Sequence, residues 1–298
     1  MVGLLILAGG SGAVRAQGGG GSPPDGANFV RRMSSRTSVR YDWPTRLAGD
    51  GEVSARRYSA AGNLTEPLSD HLALGLDADV EFSAYRFAGT VPMIGAMDDM
   101  ASDTLSMRAG PSIRYRWDED WSGVASLRLA FTGETDADWF RAMQGTMMVG
   151  ADYDVSSAFR LHAALAVISR FQDSPLVIPF ILADWTITER LRLATQGPGL
   201  ALTARLYRGG AFTLRGWWEY RQYRLDDDPV LPDGVFRDSR INLGAAYTQF
   251  LARHVGLSLE IGRALYQKMS LLDRNGEDHG GLEADPVVFG SLTVTLRI

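Results

Sequence analysis

The chain has 298 residues, a hydrophobic content of 45% and a formal net charge of −5. That balance leaves no basic footprint for nucleic acid, and no apolar run approaches the roughly 18–20 residues of a membrane-spanning helix. Cysteine is absent and Lys268 is the one lysine among 30 Lys and Arg residues. A disulfide framework is therefore excluded, and nearly every cation is an arginine, a permanently charged fork suited to carboxylate or phosphate.

Residues 1–17 read MVGLLILAGGSGAVRAQ. A short apolar core followed by Val14-Arg15-Ala16 predicts a secretory signal peptide over 1–16, although its start carries no Lys or Arg. Residues 17–34 include GGGGSPPDGA and read as a flexible linker. From 35 to 298 the governing signal is a two-residue alternation. It is clearest at 72–84, LALGLDADVEFSA, where Leu72, Leu74, Leu76, Ala78, Val80, Phe82 and Ala84 share one parity and Asp77, Asp79 and Glu81 the other. A strand of this kind has one apolar and one polar face.

By this pattern strands are expected at 37–43, 52–61, 72–87, 105–117, 124–131, 147–153, 159–171, 177–187, 191–196, 200–207, 212–225, 241–250, 255–266 and 288–298. A change of parity at Tyr85 and Phe87 suggests a bulge, and Pro111 removes a ladder donor from its strand. Many long one-sided strands fit an all-β fold, a closed antiparallel transmembrane β-barrel with lipid outside and a charged interior. The count is fourteen, or twelve if 37–43 is not a strand and 191–207 is a single one. With fourteen, short turns at 118–120, 155–157, 188–190, 208–210 and 251–254 alternate with longer loops at 88–103, 133–141, 226–238 and 267–285. Only 171–175 and 197–199 are short for the second series. This favours fourteen, with both termini periplasmic. Trp117, Tyr153, Phe159, Trp185, Phe212 and Tyr247 lie near the short turns, as an interfacial girdle would, while Phe87, Phe131 and Tyr220 lie towards the longer loops.

The final strand, FGSLTVTLRI from Phe289, alternates to the end of the chain. In that strand, and in the series over 37–298, the chain resembles Gram-negative outer-membrane β-barrel proteins, of a medium-sized kind without assigned function. Barrels of that class end on an aromatic residue, where this chain has Ile298. The resemblance implies an integral outer-membrane location, contact with outer-membrane lipid and lipopolysaccharide, and recognition of the last strand by the barrel-assembly machinery. It carries over no catalytic residue and no cofactor.

The polar parities place Asp77, Asp79, Glu81, Arg108, Arg114, Arg116, Arg128, Arg160, Arg170, Arg215, Glu219, Arg221 and Glu260 as candidate lumen-lining residues, with Asp152, Asp154, Asp184, Arg192 and Arg205 as further ones. Two arrangements compete. Crossing ion pairs would fill a non-conducting structural or adhesion barrel. A cationic wall would line a narrow pore or binding barrel for small polar or anionic solutes, and this is the expected function. A lipid-modifying enzyme is a further alternative, needing Ser, His and a polar orienter near the outer rim. His71, His162, His254 and His279 fall in no such pattern, and neither a nucleophile-elbow motif nor metal-ligand spacing is found. The acidic stretches Asp98-Asp99, 226–228 and 273–285 read as solvated loops rather than a divalent-cation site. Arg263, on an apolar face near the outer end of its strand, could reach a lipopolysaccharide phosphate.

Overall fold

The structure, a computed structural model, describes residues 29, 31–47, 50–89, 103–171, 174–226 and 233–298. The expected signal peptide, most of the linker and Asp98, Asp99, Asp227 and Asp228 lie outside the described residues. The strands are β1 (Arg32–Arg46), β2 (Glu52–Pro67), β3 (Leu72–Ala88), β4 (Asp103–Arg116), β5 (Trp121–Glu134), β6 (Met143–Ser156), β7 (Phe159–Ile168), β8 (Leu176–Thr186), β9 (Leu191–Thr195), β10 (Gly199–Arg205), β11 (Gly210–Arg224), β12 (Val235–Ala252), β13 (Val255–Leu272), β14 (Asp278–Ala284) and β15 (Val287–Arg297). Neighbours in sequence pair antiparallel, β13 pairs with β15, and β15 pairs with β1. Fourteen strands thus close a ring, and β14 lies outside it, against the far end of β13. The first and last strands meet at one end, with Ser34 opposite Arg297. We call this the terminus end and the opposite rim the loop end.

Side-chain alternation explains why the ring forms. One parity of the wall is an exposed apolar belt, including Leu76, Ile113, Leu129, Val149, Leu165, Leu243, Ile261 and Leu292. A belt of that extent is not stable against water, and lipid is the solvent it matches. At the terminus end Trp117, Trp185, Phe212 and Tyr247 are exposed, and Tyr153 stacks on Trp121 at 4.5 Å.

All fourteen expected strands are present, including β1 and the separate β9 and β10. Three local expectations are corrected. The β2–β3 register is unbroken from Glu52 opposite Ala88 to Pro67 opposite Ala73, so there is no bulge at Tyr85. Tyr85 and Phe87 keep the parity of Asp79 and Glu81 and turn inward. Register shifts fall elsewhere, among them those between Asp42 and Thr45 of β1 and between Ala264 and Tyr266 of β13. Pro111 holds register opposite Leu76 of β3, but the β4–β5 ladder skips from Ala109 to Ser112. The stretch 267–285 is not a plain loop, because β13 runs to Leu272 and returns through β14. Phe131, expected at the lipid surface, is buried beneath Trp139, with ring centres 4.1 Å apart.

The wall is uneven in height. β1 to β6 and β11 to β13 have 14–18 residues each, whereas β9 has 5 and β10 has 7. Near its loop end β11 leaves the line of the wall and Arg224 pairs in parallel with Gly133 of β5. A side chain at Gly133 would sit 3.0 Å from the Arg224 carbonyl, so glycine permits the approach. The loop-end half of the barrel is therefore drawn in around β1–β5 and β11–β15, leaving β7–β10 as a lower flank.

At the interrupted β4–β5 ladder a Cβ on Gly110 would collide with the backbone of Leu127 and Arg128, whereas one on Gly145 meets nothing within 4 Å. Gly110→Ala is expected to lose about 1–3 kcal/mol of stability and Gly145→Ala less than about 0.5 kcal/mol. Heat-modifiable gel migration over a urea series measures both.

Candidate functional site

The interior parities bring most of the candidate residues together as ion pairs. Going up from the terminus end, Arg160 forks onto Asp154, and Arg192 onto Asp184. Asp152 accepts from His162 at 2.9 Å and lies 3.5 Å from Arg114. Arg128 meets Asp77 at 2.7 Å and Arg108 meets Asp79 at 2.8 Å. Higher still, Arg215 grips Glu260 with both arms of its fork. Arg221 crosses from β11 to Glu81 of β3 at 2.7 Å and also holds Glu219 at 2.8 Å. Two candidates sit at the edges: Arg116 packs on Phe29, and Arg170 donates to the Ser174 carbonyl at 3.0 Å beyond the end of β7.

Near the loop end the interior turns first tightly charged and then apolar. Asp42 receives Arg40, Arg57 and Arg240, and Asp238 receives Arg240 and Gln267. Arg57, Asp42, Asp238 and Arg240 are each at most 3% exposed. Tyr85 donates to Asp238 at 2.9 Å and closes this layer from above. Over it lies an apolar cap of Val53, Tyr85, Tyr223, Phe236, Met269, Leu271 and Leu282, with Phe87 packed against it. The rings of Tyr85 and Phe236 meet edge-on at 5.2 Å. Described residues thus fill the barrel axis at the loop end.

Beneath this seal is a cavity of about 300 Å³. Seven arginines line it (36, 40, 57, 108, 170, 215 and 221) against four carboxylates, Asp79, Glu81, Glu219 and Glu260. Arg36 on β1 makes no ion pair or hydrogen bond among the described residues. The carboxylates nearest in charge, Asp79 and Glu260, are already held by Arg108 and Arg215. The cavity continues sideways to Ile168, Pro198, Leu200, Trp217 and Trp218 above the short β9–β10 hairpin. Arg215 lies over the Trp217 ring at 4.2 Å from its centre.

The histidines take local roles. His71 contacts the Arg116 carbonyl at 3.1 Å, His254 the Arg297 carbonyl at 2.7 Å, and His279 lies 3.6 Å from Asp273. Asp273 itself accepts from the backbone N–H groups of Asn275 and Glu277 at 2.8 and 2.9 Å, so this loop carboxylate shapes a turn.

Sequence reasoning passed over Arg36, Arg40, Asp42, Arg57, Asp238 and Arg240. The signal for the β1 group was present, because Arg36, Ser38, Arg40 and Asp42 alternate with Thr37, Val39, Tyr41 and Trp43. Asp238 and Arg240 share parity with Asn242, but the sequence reads as a loop to 238 and as a strand only from 241. Removing Asp238 leaves two fully desolvated guanidinium groups with Asp42 as their carboxylate. Asp238→Ala is therefore expected to cost about 3–5 kcal/mol, read as a lower urea midpoint in detergent micelles, with Asp238→Asn losing less.

No protein-family model matches the sequence, and no curated protein matches it. Solved structures do. An outer membrane channel from Pseudomonas putida F1 is similar at 11% identity, with a TM-score of 0.51, over 93% of this chain and 99% of that one. The P. putida toluene transporter TodX is similar at 8% identity, with a TM-score of 0.50, over 93% and 90%. At these identities the likeness is one of fold: the chain has the closed antiparallel architecture of Gram-negative outer-membrane β-barrel proteins.

Proposed function

We propose that the protein is an integral outer-membrane channel, with its termini in the periplasm, whose central cavity binds small anionic solutes. The observation that carries this reading is the excess of arginine over carboxylate around the cavity, with Arg36 left uncommitted. A guanidinium that makes no ion pair or hydrogen bond in a confined, poorly solvated chamber favours an anion strongly, because its field is little screened there. A channel and a transporter among the similar folds suit this reading better than an enzyme does. Lipid and lipopolysaccharide would contact the apolar belt, where Arg263 is exposed on the outer face of β13, and β15 would be the strand presented to the assembly machinery. The apolar cap over the cavity acts as the constriction on the axial route.

Inorganic phosphate binding, followed by the fluorescence of Trp217 beneath Arg215, tests the site. Arg36→Gln is expected to weaken binding about ten-fold, the worth of one charge-assisted hydrogen bond. Binding that is absent, or indifferent to this change, overturns the reading. In planar bilayers, Tyr85→Ala combined with Phe236→Ala is expected to raise single-channel conductance several-fold, with anions favoured over cations.

A further inference from the structure

The wall has a gap, and its borders are specific. On one side is β8. Its residues 184–186 pair with β9, and the hydroxyl of Thr195 engages both the N–H and the C=O of Ala183. Above that point, residues 176–182 have β7 on one side and no strand on the other among the described residues. On the far side is β11, whose last contact with the hairpin is Trp218 N–H to the Pro198 carbonyl at 3.2 Å. Beyond it β11 pairs with β12 and ends against β5. The sill between them is the turn at 196–199.

The gap lies at membrane depth. A barrel strand needs roughly 9–11 tilted residues to cross the hydrocarbon layer. β9 with 5 residues and β10 with 7 fall short, while β7 and β8 with 10 and 11 do not. An open strand edge facing lipid is costly, and is tolerated where it borders a water-filled cavity. β8 reduces that cost in its sequence. The Ala183 backbone turns towards β9, so the same-parity residues Val177, Pro179 and Ile181 turn towards the gap, and Pro179 brings no N–H there. The cavity reaches this part of the wall at the end of β7 and at the sill, through Ile168, Pro198, Leu200, Trp217 and Trp218.

From this we infer that the gap is a side portal joining the lipid layer to the cavity, and that its ligand is an amphipathic anion. The charged head would rest on Arg36 and the apolar tail would lie between Trp217, Trp218, Ile168 and Leu200. The cap at the loop end supports the same route, because a ligand arriving through the wall does not meet Tyr85 and Phe236. This inference rests on the anionic reading of the cavity and adds the route and the second half of the ligand.

Three matched probes separate the two: decyl phosphate, inorganic phosphate and decanol, each titrated into the full-length protein in lipid nanodiscs. Decyl phosphate is expected to bind at least ten-fold tighter than inorganic phosphate, and Arg36→Gln to weaken both. Leu200, exposed to lipid at the sill, is the portal variant. Leu200→Glu, which puts a charge where the tail would lie, is expected to remove most of the decyl phosphate advantage over inorganic phosphate. Heat-modifiable migration verifies its fold, with Leu200→Gln used in its place if it does not assemble. Equal affinity for the two phosphates overturns the portal and leaves the anion site standing. Decanol matching decyl phosphate, with neither affected by Arg36→Gln, overturns the anion site and this inference together. A decyl phosphate advantage that survives both Leu200 variants overturns the portal alone.

Discussion

Backbone hydrogen bonding in a medium that offers none is the constraint on which this molecule turns. In hydrocarbon each open N–H or C=O costs several kcal/mol, so a sheet must close on itself. The β1–β15 seam does this, with Ser34 to Asp42 laid against Arg297 to Phe289. Closure then dictates the side chains. With the outward parity committed to lipid, the inward parity must satisfy itself within a narrow lumen, which is why carboxylates and guanidinium groups recur there on adjoining strands. Among the described residues β8 leaves the rule unmet over 176–182, beside the β9–β10 hairpin, and the cavity lining reaches that hairpin.

The interior solves two problems at different heights. Towards the terminus end, pairs such as Arg160–Asp154 and Arg192–Asp184 remain partly exposed and hold neighbouring strands in register at modest energy. Towards the loop end the charges are fully desolvated, and there each carboxylate serves two or three arginines. Such a layer contributes little net stability against an apolar filling, but it admits a single arrangement of β1, β2, β12 and β13. The apolar cap above it then packs on a fixed base.

Much of this was legible in the amino-acid order, and the limits have physical causes. Alternation located every strand of the ring, because lipid on one face and charge on the other impose a strict period of two. It failed where the inner face is dry. Tyr85 and Phe87 look like a slipped register only if the lumen is assumed to be polar throughout, and Met269 and Leu271 hid β13's extension for the same reason. Pair identities were beyond reach, since Arg221 and Glu81 lie 140 residues apart. The position of Arg36 was likewise invisible: that it makes no ion pair or hydrogen bond among the described residues follows from Arg108 and Arg215 holding Asp79 and Glu260, not from its own neighbours in sequence. The shortness of the turns at 171–175 and 197–199 was visible, and both close hairpins of the low flank, β7–β8 and β9–β10.

The pairing of Asp42 with Arg240 spans 198 residues and joins the first strand of the ring to its twelfth. Until β12 is in place, Asp42 has only Arg40 and Arg57 on nearby strands, and Arg57 in turn lacks Asp238. A growing sheet of early strands therefore carries an incomplete charge layer that cannot be withdrawn from water at low cost. Closing contacts of this range costs chain entropy, so the charge layer is a product of the whole ring rather than of any run of neighbouring strands. A fragment that lacks β12 has the Asp42 carboxylate but neither Asp238 nor Arg240, and so cannot complete the layer on which the loop-end cap packs.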